Sequence, residues 1–177
     1  MITVTYYVAC SLDGFIATAD GGVDWLSEVS VEGEDYGYAE FFNSIDAMVM
    51  GSNTYEQVLR FGEWPYGDKL CWVLSERRMT PARLEITVSN RSPSEVLAEI
   101  EAEGLKRAWL VGGAELAGSF LAQHLIDEFV ITVLPIVLGE GIPLFGDQGG
   151  RQLLQLVGSH RAGNGIVTLH YCRAEDG

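Results

Sequence analysis

Short apolar runs alternate with amphipathic segments along the chain. Ile2–Ala9 is a β-rich apolar run, and the loop after it, Cys10–Asp24, carries the turn signals Asp13-Gly14 and Gly21-Gly22. Asp35–Ser44 places Tyr38, Phe41 and Phe42, followed by Ile45, at helical spacing. Ala47–Met50 is a continuous apolar run closing at Gly51, as a strand covered on both faces requires, and Ser52–Arg60 predicts the next helix. Leu70–Leu74 predicts another buried strand. Ser92-Pro93-Ser94-Glu95 opens a helix: Ser at the cap, Pro in the first turn, and Glu three residues after the cap. Val96, Leu97 and Ile100 mark its buried face and Gly104 its end. Ala108–Val111 predicts a strand, Gly112-Gly113 a tight turn, and Ala114–His124 a helix with Leu116, Phe120 and Leu121 on one side. Glu128–Val133 and Ile136–Leu138 read as strands separated by Pro135. Arg151–Val157 and Ile166–Cys172 read as closing strands joined by a turn over Gly158–Gly165.

This order predicts an α/β domain with a mainly parallel central sheet, helices on both faces, and antiparallel strands at the C-terminal side. Ligands in such sheets bind beyond the C-terminal ends of the strands, so those ends hold the residues of interest. With 177 residues and no linker or repeat, a single domain over 1–177 is expected. The hydrophobic fraction of 47% excludes intrinsic disorder. Eleven basic against 25 acidic residues leave a net charge of −14, which repels phosphate backbones and anionic lipid, so neither nucleic acid nor membrane is an expected partner. No basic-then-apolar leader opens the chain and no apolar run is long enough to span a bilayer, so a cytoplasmic protein is expected.

Cys10, Cys71 and Cys172 are widely spaced and lie in apolar runs, where they read as small hydrophobes. His124, His160 and His170 are scattered, so no metal site is expected, and no GxSxG nucleophile elbow occurs. Chemistry concentrates instead at two strand-to-helix turns, Met50-Gly51-Ser52-Asn53-Thr54 and Val111-Gly112-Gly113-Ala114. A helix start leaves about four N–H groups unpaired and carries roughly +0.5 charge, and glycine lets a phosphate approach the backbone closely. Two such turns in one sheet would flank a dinucleotide. Either alone is also an ordinary connection, and neither matches GxGxxG or GxxxxGK[ST]. Arg77-Arg78, just past the strand ending at Leu74-Ser75, adds cations suited to phosphate. Asp35 is either a helix-start residue favoured by the dipole or a carboxylate that binds a heterocycle's donor edge.

Several stretches, in this order and over nearly the whole chain, resemble the dihydrofolate reductase fold, and within it the C-terminal reductase domain of RibD proteins of riboflavin biosynthesis. They are Ala9-Cys10-Ser11-Leu12-Asp13-Gly14-Phe15-Ile16-Ala17, Asp35-Tyr36-Gly37-Tyr38, Met50-Gly51-Ser52-Asn53-Thr54-Tyr55-Glu56, Val73-Leu74-Ser75, Val111-Gly112-Gly113-Ala114-Glu115-Leu116 and Pro135 to Phe145. The resemblance implies an oxidoreductase using NADPH, with NADH possible. Gly51, Ser52, Asn53 and Thr54 would hold phosphate on one side and Val111, Gly112, Gly113, Ala114, Glu115 and Leu116 the pyrophosphate on the other. Leu74, Ser75 and Arg77 would follow the adenosine half, and Ala9 and Ile16 would position the nicotinamide. The diglycine would be joined by a cis peptide.

By the same resemblance Asp35 is the active-site carboxylate and Thr132 the hydroxyl hydrogen-bonded to it, while Trp25 and Tyr36 contact substrate. Relatives carry Arg after the first-turn glycine, for the cofactor's 2′-phosphate; here Ser52 stands there, leaving Arg77 or Arg78 to supply the charge. No zinc-deaminase segment occurs in the 177 residues, which leaves the reductase half alone. The implied reaction reduces a pteridine- or aminopyrimidine-like heterocycle, most nearly 5-amino-6-(5-phosphoribosylamino)uracil. Dihydrofolate reductase activity, or a non-catalytic nucleotide sensor on the same fold, are the alternatives. A homodimer is implied as well.

Overall fold

The computed structural model describes residues 1–174. Its elements are β1 (Thr3–Ser11), β2 (Phe15–Ala17), α1 (Trp25–Val29), α2 (Tyr38–Ser44), β3 (Ala47–Gly51), α3 (Ser52–Arg60), β4 (Leu70–Leu74) and β5 (Ile86–Ser89). They continue with α4 (Pro93–Ala102), β6 (Arg107–Gly112), α5 (Ala114–Ala122), β7 (Glu128–Leu134), β8 (Ile142–Pro143), β9 (Leu154–Arg161) and β10 (Val167–Arg173). Eight strands form one sheet in the order β5-β4-β3-β6-β1-β7-β10-β9. The six from β5 to β7 run parallel, and β10 and β9 are antiparallel.

Alternation along the strands builds two cores. On β3, Ala47 and Val49 face one side while Met48 and Met50 face the other, all fully buried. Val49, Val4, Tyr6, Leu110 and Phe129 meet Val96, Leu97 and Ile100 of α4 and Ala117, Phe120 and Leu121 of α5. On the opposite face Met48, Met50, Cys71 and Trp109 meet Tyr55 of α3 and the aromatic side of α2, where Phe41 stacks on Tyr7 at 4.1 Å. A third cluster, Trp25, Leu134 and Ile166 with Ala9 and Tyr36 against it, closes the end of the sheet nearest the hairpin β9–β10. Cys10 and Cys71 are free and buried, and desolvation pushes their thiols up to about 11 and about 12, as inert core residues.

Three expectations are corrected. Ile136–Leu138 is not a strand: after Pro135 the Ile136 N–H turns back onto Leu134 O, and the N–H groups of Leu138 and Gly139 are taken by the Asp13 carboxylate rather than by a neighbouring strand. The run predicted at Arg151–Val157 starts at Leu154. The expected turn over Gly158–Gly165 is shorter, because Gly158 to Arg161 pair with β10 and the chain reverses only past Ala162, whose N–H bonds Ile166 O. The short elements β2, α1 and β5 carry too few residues to show a period.

Candidate functional site

The chain leaves β3 through α3 toward β4, and leaves its neighbour β6 through α5 toward β7, in the opposite direction. Right-handed crossovers therefore place α3 and α5 on opposite faces, and the crevice between the ends of β3 and β6 is the switch point of the sheet. The two helix starts meet there. A Cβ on Gly51 would lie 3.7 Å from Gly113 N and 4.0 Å from Gly112 O, and one on Gly113 would lie 3.2 Å from Thr54 Oγ1. Gly112 has φ 123° and is joined to Gly113 by a cis peptide. Neither α3 nor α5 has a side-chain cap, whereas α4 carries both halves of a capping box at Ser92 and Glu95. First-turn N–H groups of α3 and α5 are thus left for an external anion. The lack of Cβ atoms at Gly51 and Gly113 opens a cradle of the right chemistry for a pyrophosphate.

Leu74 pairs with Gly51 across β4 and β3, so Ser75 and the residues after it lie beside the α3 start. Ser75 Oγ accepts the Arg77 N–H at 3.0 Å, which curls the chain so that the Arg77 guanidinium donates to Ser52 Oγ at 3.2 Å and faces Asn53 Oδ1 at 3.5 Å. A cation therefore stands at this helix tip although Ser52 itself is neutral. Glu56 pairs with it at 3.3 Å and would compete with a bound phosphate. On the other turn Ala114 is buried, Leu116 half-buried and Glu115 exposed, while Val111 sits at an irregularity in the β3–β6 pairing.

Farther along the sheet the strand register brings four residues into one row. Ala9 pairs with Thr132, Thr132 with Thr168, and Thr168 with His160. Beside this row lies an open cavity of about 770 Å³, bordered by Val31 to Gly37 segment residues Glu34, Asp35 and Tyr36 and by His160 to Asn164 of the hairpin. Asn164 donates to Val29 O at 2.6 Å and to the Tyr36 hydroxyl at 3.1 Å, tying the hairpin to the α1–α2 segment. Tyr36 has φ 54°, and its hydroxyl also accepts the Val31 N–H. Asp13 holds the mouth of the β1–β2 turn against residues 138–139, and β2, which carries Ile16, is paired by β8.

Asp35 lines this cavity but does not bond Thr132, contrary to expectation. Its carboxylate accepts the N–H groups of Gly37 at 3.0 Å and Ala39 at 3.1 Å, and these backbone bonds hold it below the ordinary carboxylate range, hence ionised at neutral pH. Thr132 instead pairs its hydroxyl with Thr168 Oγ1 at 3.1 Å, since the two stand directly opposite on one face of β7 and β10. Trp25 is buried, with its indole N–H lacking a partner among the described residues, and packs in the cluster that Ala9 and Tyr36 join.

The family model for the RibD C-terminal domain matches residues 2–168. The chain belongs to the RibD C-terminal domain family. It is 41% identical to the uncharacterised protein YwjB of Bacillus subtilis strain 168 over 95% of this chain and 96% of that one. It is 30% identical to the riboflavin biosynthesis protein RibD of Corynebacterium ammoniagenes over 78% of this chain and 44% of RibD. A solved Shewanella sp. PV-4 structure, named as a candidate riboflavin biosynthesis protein, superposes with a TM-score of 0.89 at 31% identity, covering 99% of this chain and 100% of that one. The fold is also that of the Thermotoga maritima deaminase/5-amino-6-(5-phosphoribosylamino)uracil reductase, with a TM-score of 0.76 at 16% identity, 98% of this chain and 57% of that one.

In this RibD C-terminal domain the fold brings the two glycine turns, Leu74, Ser75 and Arg77 together at the switch point, and Asp35, Tyr36 and Thr168 around the cavity, with Thr132 buried behind Thr168. Residues that sequence reasoning missed are Thr168, Asn164, His160 and Arg161. Their only local signal is the Asn164-Gly165 turn, and nothing local places that turn opposite residue 35. Among the described residues no helix is long and apolar enough to cross a membrane, and no cluster of His, Cys, Asp or Glu suits a metal.

Proposed function

We propose that this RibD C-terminal domain is an NADPH-dependent reductase of an aminopyrimidine-type heterocycle, of the 5-amino-6-(5-phosphoribosylamino)uracil class. The observation that carries the reading is the single crevice at which two uncapped helix starts meet, one strand away from Ala9 and the row that leads to Asp35. Gly51 to Thr54 and Gly112 to Leu116 would hold the pyrophosphate, and Arg77 the 2′-phosphate that separates NADPH from NADH. NADPH bound there would supply hydride to the heterocycle. The chain's part is to hold the donor and acceptor carbons about 3–3.5 Å apart and to exclude water. Ionised Asp35, fixed by the α2 backbone, would accept from the ring's N–H edge and favour its protonated, hydride-accepting form, while the Thr132–Thr168 pair offers hydroxyls on the same face.

A cytoplasmic homodimer is part of the proposal. The edge strand β9 exposes Leu154, Leu156 and Val157, and residues 148–174 contain three Arg and no Asp or Glu, so a second copy docking there avoids the repulsion of the otherwise acidic chain. NADPH and NADH oxidation followed at 340 nm with aminopyrimidine and pterin substrates tests the reaction. Asp35→Asn is expected to lower kcat by about 10-fold or more, the scale of a lost acid–base contribution, with cofactor affinity kept. Equal turnover removes Asp35 from the chemistry, and tight cofactor binding without oxidation of any substrate replaces the reductase with a sensor.

A further inference from the structure

Two loops leave the same end of the sheet side by side. Strands β1 and β7 are parallel neighbours, with Ser11 paired to Leu134 at their last positions, and each runs into an irregular segment, Leu12 to Gly14 after β1 and residues 135–141 after β7. Main-chain bonds join the two segments: the Leu12 N–H donates to Ile136 O at 2.8 Å, the Leu144 N–H donates to Gly14 O at 3.0 Å, and β2 pairs with β8. A Cβ on Gly141 would lie 2.3 Å from Ala17 O, so backbone meets backbone there. Between these links stands a side chain. The Asp13 carboxylate accepts the Leu138 N–H at 3.1 Å and the Gly139 N–H at 2.8 Å. The Ser11 hydroxyl donates to it at 2.6 Å and itself accepts the Phe15 N–H at 3.0 Å. These bonds, that of Ser11 foremost, hold the carboxyl below its ordinary range, so it is ionised at neutral pH.

The place of this clamp in the sheet gives it a use. The order β3-β6-β1-β7-β10-β9 puts the crevice of the two glycine turns on one side of β1 and the cavity beside Asp35 on the other. A dinucleotide with its pyrophosphate in the crevice and its reacting ring toward the cavity must pass the C-terminal end of β1, where the turn held by Asp13 stands. The other links between the two loops are main chain to main chain, so Asp13 is the point at which one substitution uncouples them. An amide cannot take its place. In Asp13→Asn one oxygen must serve where two did, and the amide NH2 meets a main-chain N–H, donor against donor.

We propose that Asp13 is a positioning residue of the reductase: by fastening the loop after β7 to the loop after β1, it fixes the wall against which the cofactor's nicotinamide ring is aligned for hydride transfer. The role rests on the NADPH reductase reading and adds to it a residue that acts through the backbone rather than by touching cofactor or substrate.

Asp13→Asn tests the role, with Asp20→Asn as control, because the bonds to the Asp20 carboxylate come from its own turn, from the Thr18 hydroxyl at 2.5 Å and the Gly22 N–H at 3.3 Å. Both aspartates are exposed, so both variants are expected to fold, which circular dichroism verifies. Hydrogen exchange of the cofactor-free protein reads the clamp itself. Protection over residues 12–17 and 136–142 is expected to fall about 10-fold or more in Asp13→Asn, and unchanged protection overturns the clamp. Calorimetry then compares NADPH with 2′,5′-ADP, which carries the adenosine phosphates and no nicotinamide. Asp13→Asn is expected to weaken NADPH about 3- to 10-fold and 2′,5′-ADP less than about 2-fold, a part of one charge-assisted hydrogen bond. With a reducible heterocycle kcat is expected to fall about 10- to 100-fold, the scale of a misplaced donor. Equal weakening of the two ligands, or of neither, overturns the positioning role while leaving the reductase standing, and the same losses in Asp20→Asn overturn it too. Wild type that binds NADPH but reduces no heterocycle removes the reductase reading, and the ligand ratio still decides whether Asp13 aligns the nicotinamide half. Wild type that binds neither ligand overturns the cofactor site and this role with it.

Discussion

Gly51→Ala separates the fold from the proposed cofactor cradle. The added methyl would meet Gly113 N at 3.7 Å, Leu116 Cβ at 3.9 Å and Gly112 O at 4.0 Å, all ordinary contacts, on a residue whose φ of −80° and ψ of 162° suit any side chain. The lost cap preference of glycine and the stiffening of the unfolded chain are each a few tenths to about 1 kcal/mol and oppose one another, so the unliganded protein is expected to keep its stability within about 0.5 kcal/mol. The same methyl occupies the space between the two helix starts through which a phosphate reaches Gly113 N–H. Losing two charge-assisted hydrogen bonds, at about 1.5–3 kcal/mol each, weakens binding about 100-fold or more. At an NADPH concentration near 100 times the wild-type Kd, binding stabilises the wild type by about 2.7 kcal/mol and the variant by about 0.4 kcal/mol. For a chain of this size that is a thermal shift of about 5–11 °C against about 1 °C. Differential scanning fluorimetry with and without NADPH reads both quantities. A variant that unfolds at the wild-type temperature and still shows the wild-type NADPH shift refutes the placement of the pyrophosphate in this crevice.

Gly118→Ala should act on the fold instead, since a Cβ there would lie 2.1 Å from Gln148 O and 2.4 Å from Phe145 O, backbone atoms that cannot swing aside. Overpacking of about 3 kcal/mol less a helix gain of about 1 kcal/mol predicts a loss of about 2 kcal/mol, and a melting temperature at or above wild type would show that the 145–150 loop does not press on α5. Asp13, Asp20, Asp35, Asp46 and Glu95 are all held below their ordinary range, chiefly by hydrogen bonds from Ser11, Thr18, the Gly37 N–H, the Lys106 N–H and Ser92 respectively. Their stabilisation is complete above the unfolded carboxyl values of about 4 and is lost as pH falls through the lower folded values. The urea midpoint should therefore fall between pH 5 and pH 2, less steeply in Asp46→Asn, and a midpoint that is flat over that range contradicts the assignment. Leu156→Lys on the exposed edge of β9 should convert the proposed dimer to monomer by sedimentation at micromolar concentration, and an unchanged sedimentation coefficient places any interface elsewhere.

Elements whose boundaries were legible share one property: local patterning and local punctuation agree. Ser52–Arg60 begins at a glycine that closes a buried strand, and Pro93–Ala102 begins at a complete capping box. Ile136–Leu138 misled because apolar content was read without its surroundings; Pro135 and the distant Asp13 carboxylate, 125 residues away in sequence, take that backbone out of any sheet. Trp25 and Thr132 show the same limit at the site. A side chain's type was visible, but whether it faces a ligand, a core or another hydroxyl depends on what lies opposite.

The amino-acid sequence by itself determined the α/β class, the two glycine turns at strand ends and their suitability for phosphate, because dihedral preference, period and helix-end charge are properties of a few adjacent residues. Only the tertiary structure decided that the turns face one crevice, that Thr132 bonds Thr168 rather than Asp35, and that His160 and Arg161 stand across a cavity from Glu34 and Asp35. Those relations follow from strand order and pairing register, which are fixed by burying the apolar faces of segments tens to more than 100 residues apart, and no local pattern encodes which strand another will meet.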